Sequence, residues 1–211
     1  MLQYRAVYPK TLELLKILMK YKSLQDFFLV GGTSLALQLG HRISVDLDLF
    51  LNKDFETVNI LQELNTNLEF KIILQKEQNS LTINARKQNI NDEFVKIDFI
   101  KYPYPLINKV IKSEGLRLLS IEDIIAMKLS AISNRGAKKD FYDIYELLKT
   151  FTISEMFKLF SIKFPQIAHF HVLKSLTYFE DAESQFSPLT LNNTKWEQVK
   201  TTIEKKVNEY L

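Results

Sequence analysis

The sequence predicts an α/β or α+β domain followed by a bundle of helices. Short apolar runs alternate with helical stripes through the first half of the chain, and from Ser120 onward only helical periodicity remains. The composition shifts between residues 105 and 120, which divides the chain into an α/β domain at 1–112 and a helical domain at 113–211.

Residues 9–22 place Leu12, Leu15, Leu18 and Met19 on one helical stripe, behind a proline suited to a first turn. Phe27-Phe28-Leu29-Val30 is a short apolar run ending at two glycines, and so predicts a buried strand. Residues 33–39 read as a helix with Gly40 as its stop. A second strand is expected at 45–50, a helix at 55–64, and further strands at 69–74, 81–86 and 94–100. Ser120 with Asp123 three residues on resembles a capping box that opens a helix to about residue 133. Arg135-Gly136-Ala137 breaks that helix. Others follow at 138–149, 153–162, 169–179 and 195–209, with Pro165 and Pro188 as punctuation.

The 211 residues are enough to bury a sizeable core, and 46% hydrophobic with 12% aromatic residues argues against disorder. No apolar run reaches membrane-spanning length, and Met1-Leu2-Gln3-Tyr4-Arg5 lacks a signal-peptide pattern, so a cytoplasmic chain with no membrane partner is expected. The absence of cysteine excludes disulfides, thiolate nucleophiles and Cys-type zinc sites. The net charge of +3 is mild, but Lys128, Arg135, Lys138 and Lys139 cluster, as a patch for phosphate or nucleic acid or as a solvated helix face.

Gly31-Gly32-Thr33-Ser34 follows a strand and opens a helix, which aims backbone N–H groups and the positive end of the helix dipole at an anion. Asp46 and Asp48 are two apart, so on a strand they share a face, with Val45, Leu47 and Leu49 on the other. Such a pair suits a solvated strand face, or a hard divalent cation with its substrate phosphates. Asp98 sits in the apolar strand Lys96-Ile97-Asp98-Phe99-Ile100, where it pairs with Lys96 or completes a three-carboxylate metal site with Asp46 and Asp48. In the helical half, Lys128 projects from the stripe of Ile121, Ile125 and Ile132, while Asp140 and Asp143 share a face with Ile144 and Leu147. Two core-facing acids opposite a core-facing lysine suggest a paired network, from which Lys128 and Arg135 reach nucleotide phosphates. His169 and His171 have no acidic neighbour at ligand spacing and read as structural or surface residues.

From Gly31-Gly32-Thr33 through His41-Arg42-Ile43-Ser44-Val45-Asp46-Leu47-Asp48-Leu49-Phe50 the chain resembles the first motif of the AbiEii/AbiGii-type nucleotidyltransferases, within the DNA polymerase β-like superfamily. Lys96-Ile97-Asp98 looks like that family's second motif, and Lys128 with the run from Arg135 to Asp143 like its third and fourth. Tyr178-Phe179-Glu180-Asp181-Ala182-Glu183 and the Trp196 helix fit its usual ending. The resemblance implies an α+β nucleotidyltransferase fold, a mixed sheet flanked by helices, followed by a C-terminal helical bundle. It implies Asp46 and Asp48 as catalytic metal-binding residues, Asp98 as a further ligand, and Mg²⁺ (or Mn²⁺) as the ion. Gly31, Gly32, Thr33, Ser34, Arg42 and Lys128 would bind the nucleotide, and Lys128 and Asp140 would complete the catalytic set.

The expected activity is transfer of a nucleoside monophosphate from an NTP to an acceptor hydroxyl with release of pyrophosphate. RNA, in particular a tRNA 3′ end, is the leading acceptor, and a toxin of this kind implies a cognate antitoxin. A protein hydroxyl or a small molecule is the alternative acceptor, and a non-catalytic nucleotide-binding module the alternative class.

Overall fold

The computed structural model describes residues 1–88 and 93–211. They form two compact units. The first comprises Met1–Leu39, Ser44–Pro105 and Val110–Leu119; the second comprises Gly40–Ile43, Leu106–Lys109 and Ser120–Leu211.

The first unit is built on one mixed sheet of β1 (Phe28–Leu29), β2 (Leu47–Leu51), β3 (Leu68–Gln75), β4 (Ser80–Lys87), β5 (Val95–Lys101), β6 (Ile111–Ser113) and β7 (Leu116–Leu118). Their spatial order is β3-β4-β5-β2-β1-β7-β6. β2 runs parallel to β5 and β1 parallel to β7, while the other neighbours are antiparallel. The helices α1 (Pro9–Leu18), α2 (Gly31–Leu39) and α3 (Thr57–Leu64) belong to the same unit. Alternation along the strands decides its layers. Leu47, Leu49, Leu81, Ile83, Ala85, Ile97 and Phe99 are buried in one apolar core, which also takes in Leu14, Leu15 and Leu18 of α1 and Ile60 and Leu64 of α3.

Three local features depart from the periodicity. The first helix ends at Leu18 and Lys22–Leu24 form a separate 3-10 turn. The second strand begins only at Leu47, so Val45 is not on its inner face but 47% exposed. The pair β6–β7 was not visible as strands in the sequence. Its two-residue turn is Glu114-Gly115, with φ values of 51° and 80°, a primed-type geometry that matches the twist of a hairpin. Arg117 of β7 donates through Nε to the Phe27 carbonyl at 2.7 Å, and through its two Nη atoms to those of Met19 and Leu24 at 3.0 and 2.9 Å. One guanidinium thus fixes the connection between α1 and β1.

The second unit contains α4 (Ile121–Arg135), α5 (Lys138–Leu147), α6 (Ile153–Lys163), α7 (His169–Leu176), the single turn α8 (Glu180–Glu183) and α9 (Trp196–Tyr210). Ser120 caps α4 by accepting from the Asp123 N–H at 3.1 Å. The Asp123 carboxylate returns to the Ser120 hydroxyl, accepting from it at 2.7 Å, and not to its backbone as a capping box would. It also accepts from the N–H groups of Ile107 and Asn108 at 2.9 and 3.0 Å, and pairs with the fully buried Lys163 at 2.7 Å. Gly136 ends α4 in the left-handed region at φ 51°, which an L-residue adopts only at a cost. Thr152 and Glu155 form a complete capping box on α6. Within this unit the segment Gly40–Ile43 is held against the 189–191 stretch, by Ile43 N–H to the Leu189 carbonyl at 2.8 Å and Leu191 N–H to the His41 carbonyl at 2.9 Å.

Candidate functional site

In the first unit, β1 ends where α2 begins, and the Val30 N–H donates to the Asp48 carbonyl at 2.9 Å. That bond sets Gly31, the first residue of α2, against the Asp48 side chain. A Cβ on Gly31 would lie 2.5 Å from Asp48 Oδ2, and its φ is +66°. Only glycine supplies both the left-handed backbone and the clearance. Ser34 is the first residue of α2 whose N–H reaches back, to the Val30 carbonyl at 3.4 Å. A helix start gives the N–H groups of Gly31, Gly32 and Thr33 no intrahelical acceptor. They and the positive helix end are therefore presented beside Asp48.

The Thr33 hydroxyl, buried, makes a 2.8 Å bond with Ser44 Oγ and donates to the Asp46 carbonyl. It thereby staples α2 to the segment that carries the carboxylates. Ser34 is also buried, and its hydroxyl accepts from Gln38 Nε2 at 3.2 Å. At these two positions the side chains are turned into the protein.

The parallel register of β2 and β5 sets Asp48 directly beside Asp98. Asp98 Oδ1 accepts from Thr82 Oγ1 at 2.6 Å, and Oδ2 from Lys96 Nζ at 2.5 Å. The third-ligand expectation for Asp98 thus meets a carboxylate already bonded through both oxygens. Burial would lower the Lys96 pKa, but the hydrogen bond to Asp98 and the charges of Asp98, Asp48 and Asp46 outweigh it and hold the pKa raised. That dependence also places all three carboxylates within electrostatic reach of one ammonium group. Among the described residues no group of three or more His, Asp or Glu side chains converges as a metal-ligand set. The half-buried carboxylates of Asp46 and Asp48 are oxygen donors of the kind a hard divalent cation takes, and to that extent the residues fit such an ion.

The second unit gathers the other candidates: Arg42, Lys128 and Asp140. Lys128 Nζ lies 2.7 Å from Asp140 Oδ1 and also pairs with Asp143. Asp143 is the hub, fully buried. It accepts from Arg42 Nε at 2.6 Å and Nη2 at 2.9 Å, and lies 2.7 Å from His41 Nε2. Arg135 Nε reaches Asp140 Oδ2 at 2.9 Å. Burial alone would raise both acids, yet Arg42 and Lys128 hold Asp143 well below the usual carboxylate range, and Lys128 with Arg135 holds Asp140 below it. Burial likewise opposes a charged Lys128, but the two aspartates outweigh it and raise its pKa. Arg42, which the sequence offered to phosphate, is turned inward as a bidentate partner of Asp143. Arg135 differs: its side chain is 57% exposed although Asp140 holds it.

Some of this was beyond sequence reasoning. Nothing in the local pattern singled out Thr82 or Ser44, or joined Lys163 to Asp123. His41 was noted only as part of a motif, whereas the fold buries it on Asp143. His169, expected as a structural or surface residue, is exposed, bonded to Ser161 Oγ at 2.7 Å and packed on Phe157.

The model of the family described as "Nucleotidyl transferase AbiEii toxin, Type IV TA system" matches residues 13–209. The chain belongs to the AbiEii nucleotidyltransferase toxin family. It is therefore a nucleotidyltransferase, and its mixed sheet followed by helices is a nucleotidyltransferase fold. A relative from Aquifex aeolicus, the uncharacterized protein aq_aa25, is 33% identical over 193 residues, spanning 88% of each chain. Among solved structures the fold is similar to JHP933 from Helicobacter pylori, with a TM-score of 0.61 at 19% identity over 96% of this chain and 92% of that one. It is also similar to MenT4, a nucleotidyltransferase toxin from Mycobacterium tuberculosis, with a TM-score of 0.57 at 14% identity, covering 94% and 82%. Among the described residues no helix is long and apolar enough to cross a membrane.

Proposed function

We propose that this AbiEii nucleotidyltransferase transfers a nucleoside monophosphate from an NTP to a hydroxyl at the 3′ end of an RNA, with tRNA as the acceptor class. In this reading it acts in the cytoplasm as the toxin of a pair whose cognate antitoxin restrains it. The observation that carries the proposal is the contact between Gly31 and Asp48, which joins a helix start suited to phosphate with a carboxylate suited to a cation.

In this reading the N–H groups of Gly31, Gly32 and Thr33 bind the triphosphate. Asp46 and Asp48 hold Mg²⁺ (or Mn²⁺), which when bound offsets phosphate charge and favours attack at the α-phosphorus. Asp98 positions Lys96 beside them. The acceptor oxygen forms a bond to the α-phosphorus, the bond from that phosphorus to the bridging oxygen breaks, pyrophosphate leaves, and the hydroxyl proton passes to solvent. In the second unit, Lys128 and Asp140 act as a rigid pair that fixes the half-exposed Arg135, the cation offered to an anionic group.

The test is incubation of the purified protein with labelled NTPs and either total RNA or a protein extract, beside Asp48→Asn. Label in RNA that the variant does not add is the expected result. Label confined to protein or to a small molecule would overturn the RNA acceptor while leaving transfer itself standing.

A further inference from the structure

The two faces of the β3–β4–β5 region differ sharply. One carries Leu81, Ile83, Ala85, Val95, Ile97 and Phe99, all buried. The register puts the other face in rows across the strands. Asp48, Asp98, Thr82 and the exposed Leu74 form one row, and Lys96, Asn84 and Lys71 the next. Beyond them Arg86 pairs with Glu69, and its guanidinium lies 4.6 Å from the Phe94 ring centroid. Lys71 Nζ lies 5.0 Å from the same centroid. Lys71 and Lys96 are exposed, and Arg86 and Phe94 are half-buried.

We infer that this polar face is the track for the sugar–phosphate backbone of the acceptor strand, with Lys96, Lys71 and Arg86 contacting successive phosphates that lead to the Asp48–Asp98 row. Among the described residues past the catalytic row, Lys71, Lys96 and Arg86 share the face with Glu69. Lys96 is paired with Asp98 and Arg86 with Glu69, while Lys71 adds a further exposed positive charge suited to a polyanion. Phe94 holds Lys71 and Arg86 together through its ring, so a phosphate meets an arranged pair rather than two separate flexible chains.

This inference rests on the RNA reading of the acceptor, and the experiment separates the two. A short 5′-fluorescent RNA with a free 3′ hydroxyl is titrated against the wild type, Lys71→Glu, Lys71→Ala and Phe94→Leu, at several salt concentrations. NTP-dependent thermal stabilisation is measured in parallel as a check on folding and on the nucleotide site. The expected result is several-fold weaker RNA binding by both Lys71 variants, with the logarithmic salt slope of Lys71→Ala reduced by about one, and unchanged stabilisation by NTP. Phe94→Leu should weaken binding without changing the charge. Wild-type RNA binding that all three variants retain would overturn the track and leave the RNA acceptor standing. No RNA binding by the wild type, or competition by an acidic polypeptide as effective as that by RNA, would overturn both.

Discussion

Gly31 carries two demands at once, a positive φ and the space beside Asp48 Oδ2. Gly31→Ala should cost roughly 1–2 kcal/mol through the backbone alone, and it must also displace the carboxylate. The expected outcome is a folded protein with a lowered melting temperature and transfer activity reduced far more than stability, read by thermal melts and NTP incorporation. Asp143 is the opposite kind of residue, wholly interior, with Arg42 and Lys128 dependent on it. Asp143→Ala removes the carboxylate that the buried Arg42 pairs with and leaves Lys128 to Asp140 alone, and should cost about 3–5 kcal/mol, measurable by urea unfolding. The pH dependence has a definite sign. Asp140 and Asp143 are held below their ordinary values, so the unfolded chain takes up more protons as pH falls. Their stabilisation is present above about pH 4 and is lost as pH drops through the lowered folded values. Lys128 is shifted upward, so its stabilisation persists until pH rises through that raised value. Urea midpoints between neutral pH and acid should fall steeply for the wild type and less so for Asp143→Asn.

At the scale of elements, the parallel pairing of β2 with β5 is what makes neighbours of Asp48 and Asp98. Alternation predicted a shared strand face for Asp46 and Asp48, but β2 begins only at Leu47 and leaves Asp46 just ahead of it; the apolar flanks of Asp98 marked that residue as unusual. The pairing partner of a strand, however, is a long-range choice that periodicity does not encode. For the same reason Thr82 was invisible: its importance comes from lying opposite Asp98 in β4. The β6–β7 hairpin escaped because three-residue strands are too short to show a period, although Glu114-Gly115 was a turn signal. Helix ends were clearer where a glycine marks them, as at Gly40 and Gly136. The joint between α2 and β2 provides an element-scale prediction. Thr33→Val removes a buried hydroxyl that holds Ser44 and the Asp46 carbonyl, and should cost about 1–3 kcal/mol. Thermal melts should show that loss, and transfer should fall as the Asp46–Asp48 segment loosens.

For the whole molecule, binding should appear as stability. Mg²⁺ or Mn²⁺ with an NTP is expected to raise the melting temperature, through a stabilisation of about 2.7 kcal/mol when ligand is a hundredfold above its dissociation constant. Asp48→Asn should abolish the increment from the metal, and an unchanged increment would remove Asp48 from the ligand set. The fold class was legible because the motif order and the change from alternating to purely helical patterning both survive in the linear sequence. The inward turn of Arg42 was not, since a motif gives the identity of a residue and not its direction.

The short segment Gly40–Ile43 sits in the sequence between pieces of the sheet unit, yet belongs to the helical one. It brings with it His41 and Arg42, the partners of Asp143. The helical half is therefore not a transferable cassette. A recombination event that swapped everything after Leu119 would deliver Asp143 to a host whose own residues must supply the matching arginine and histidine, so the two stretches are bound to be inherited together.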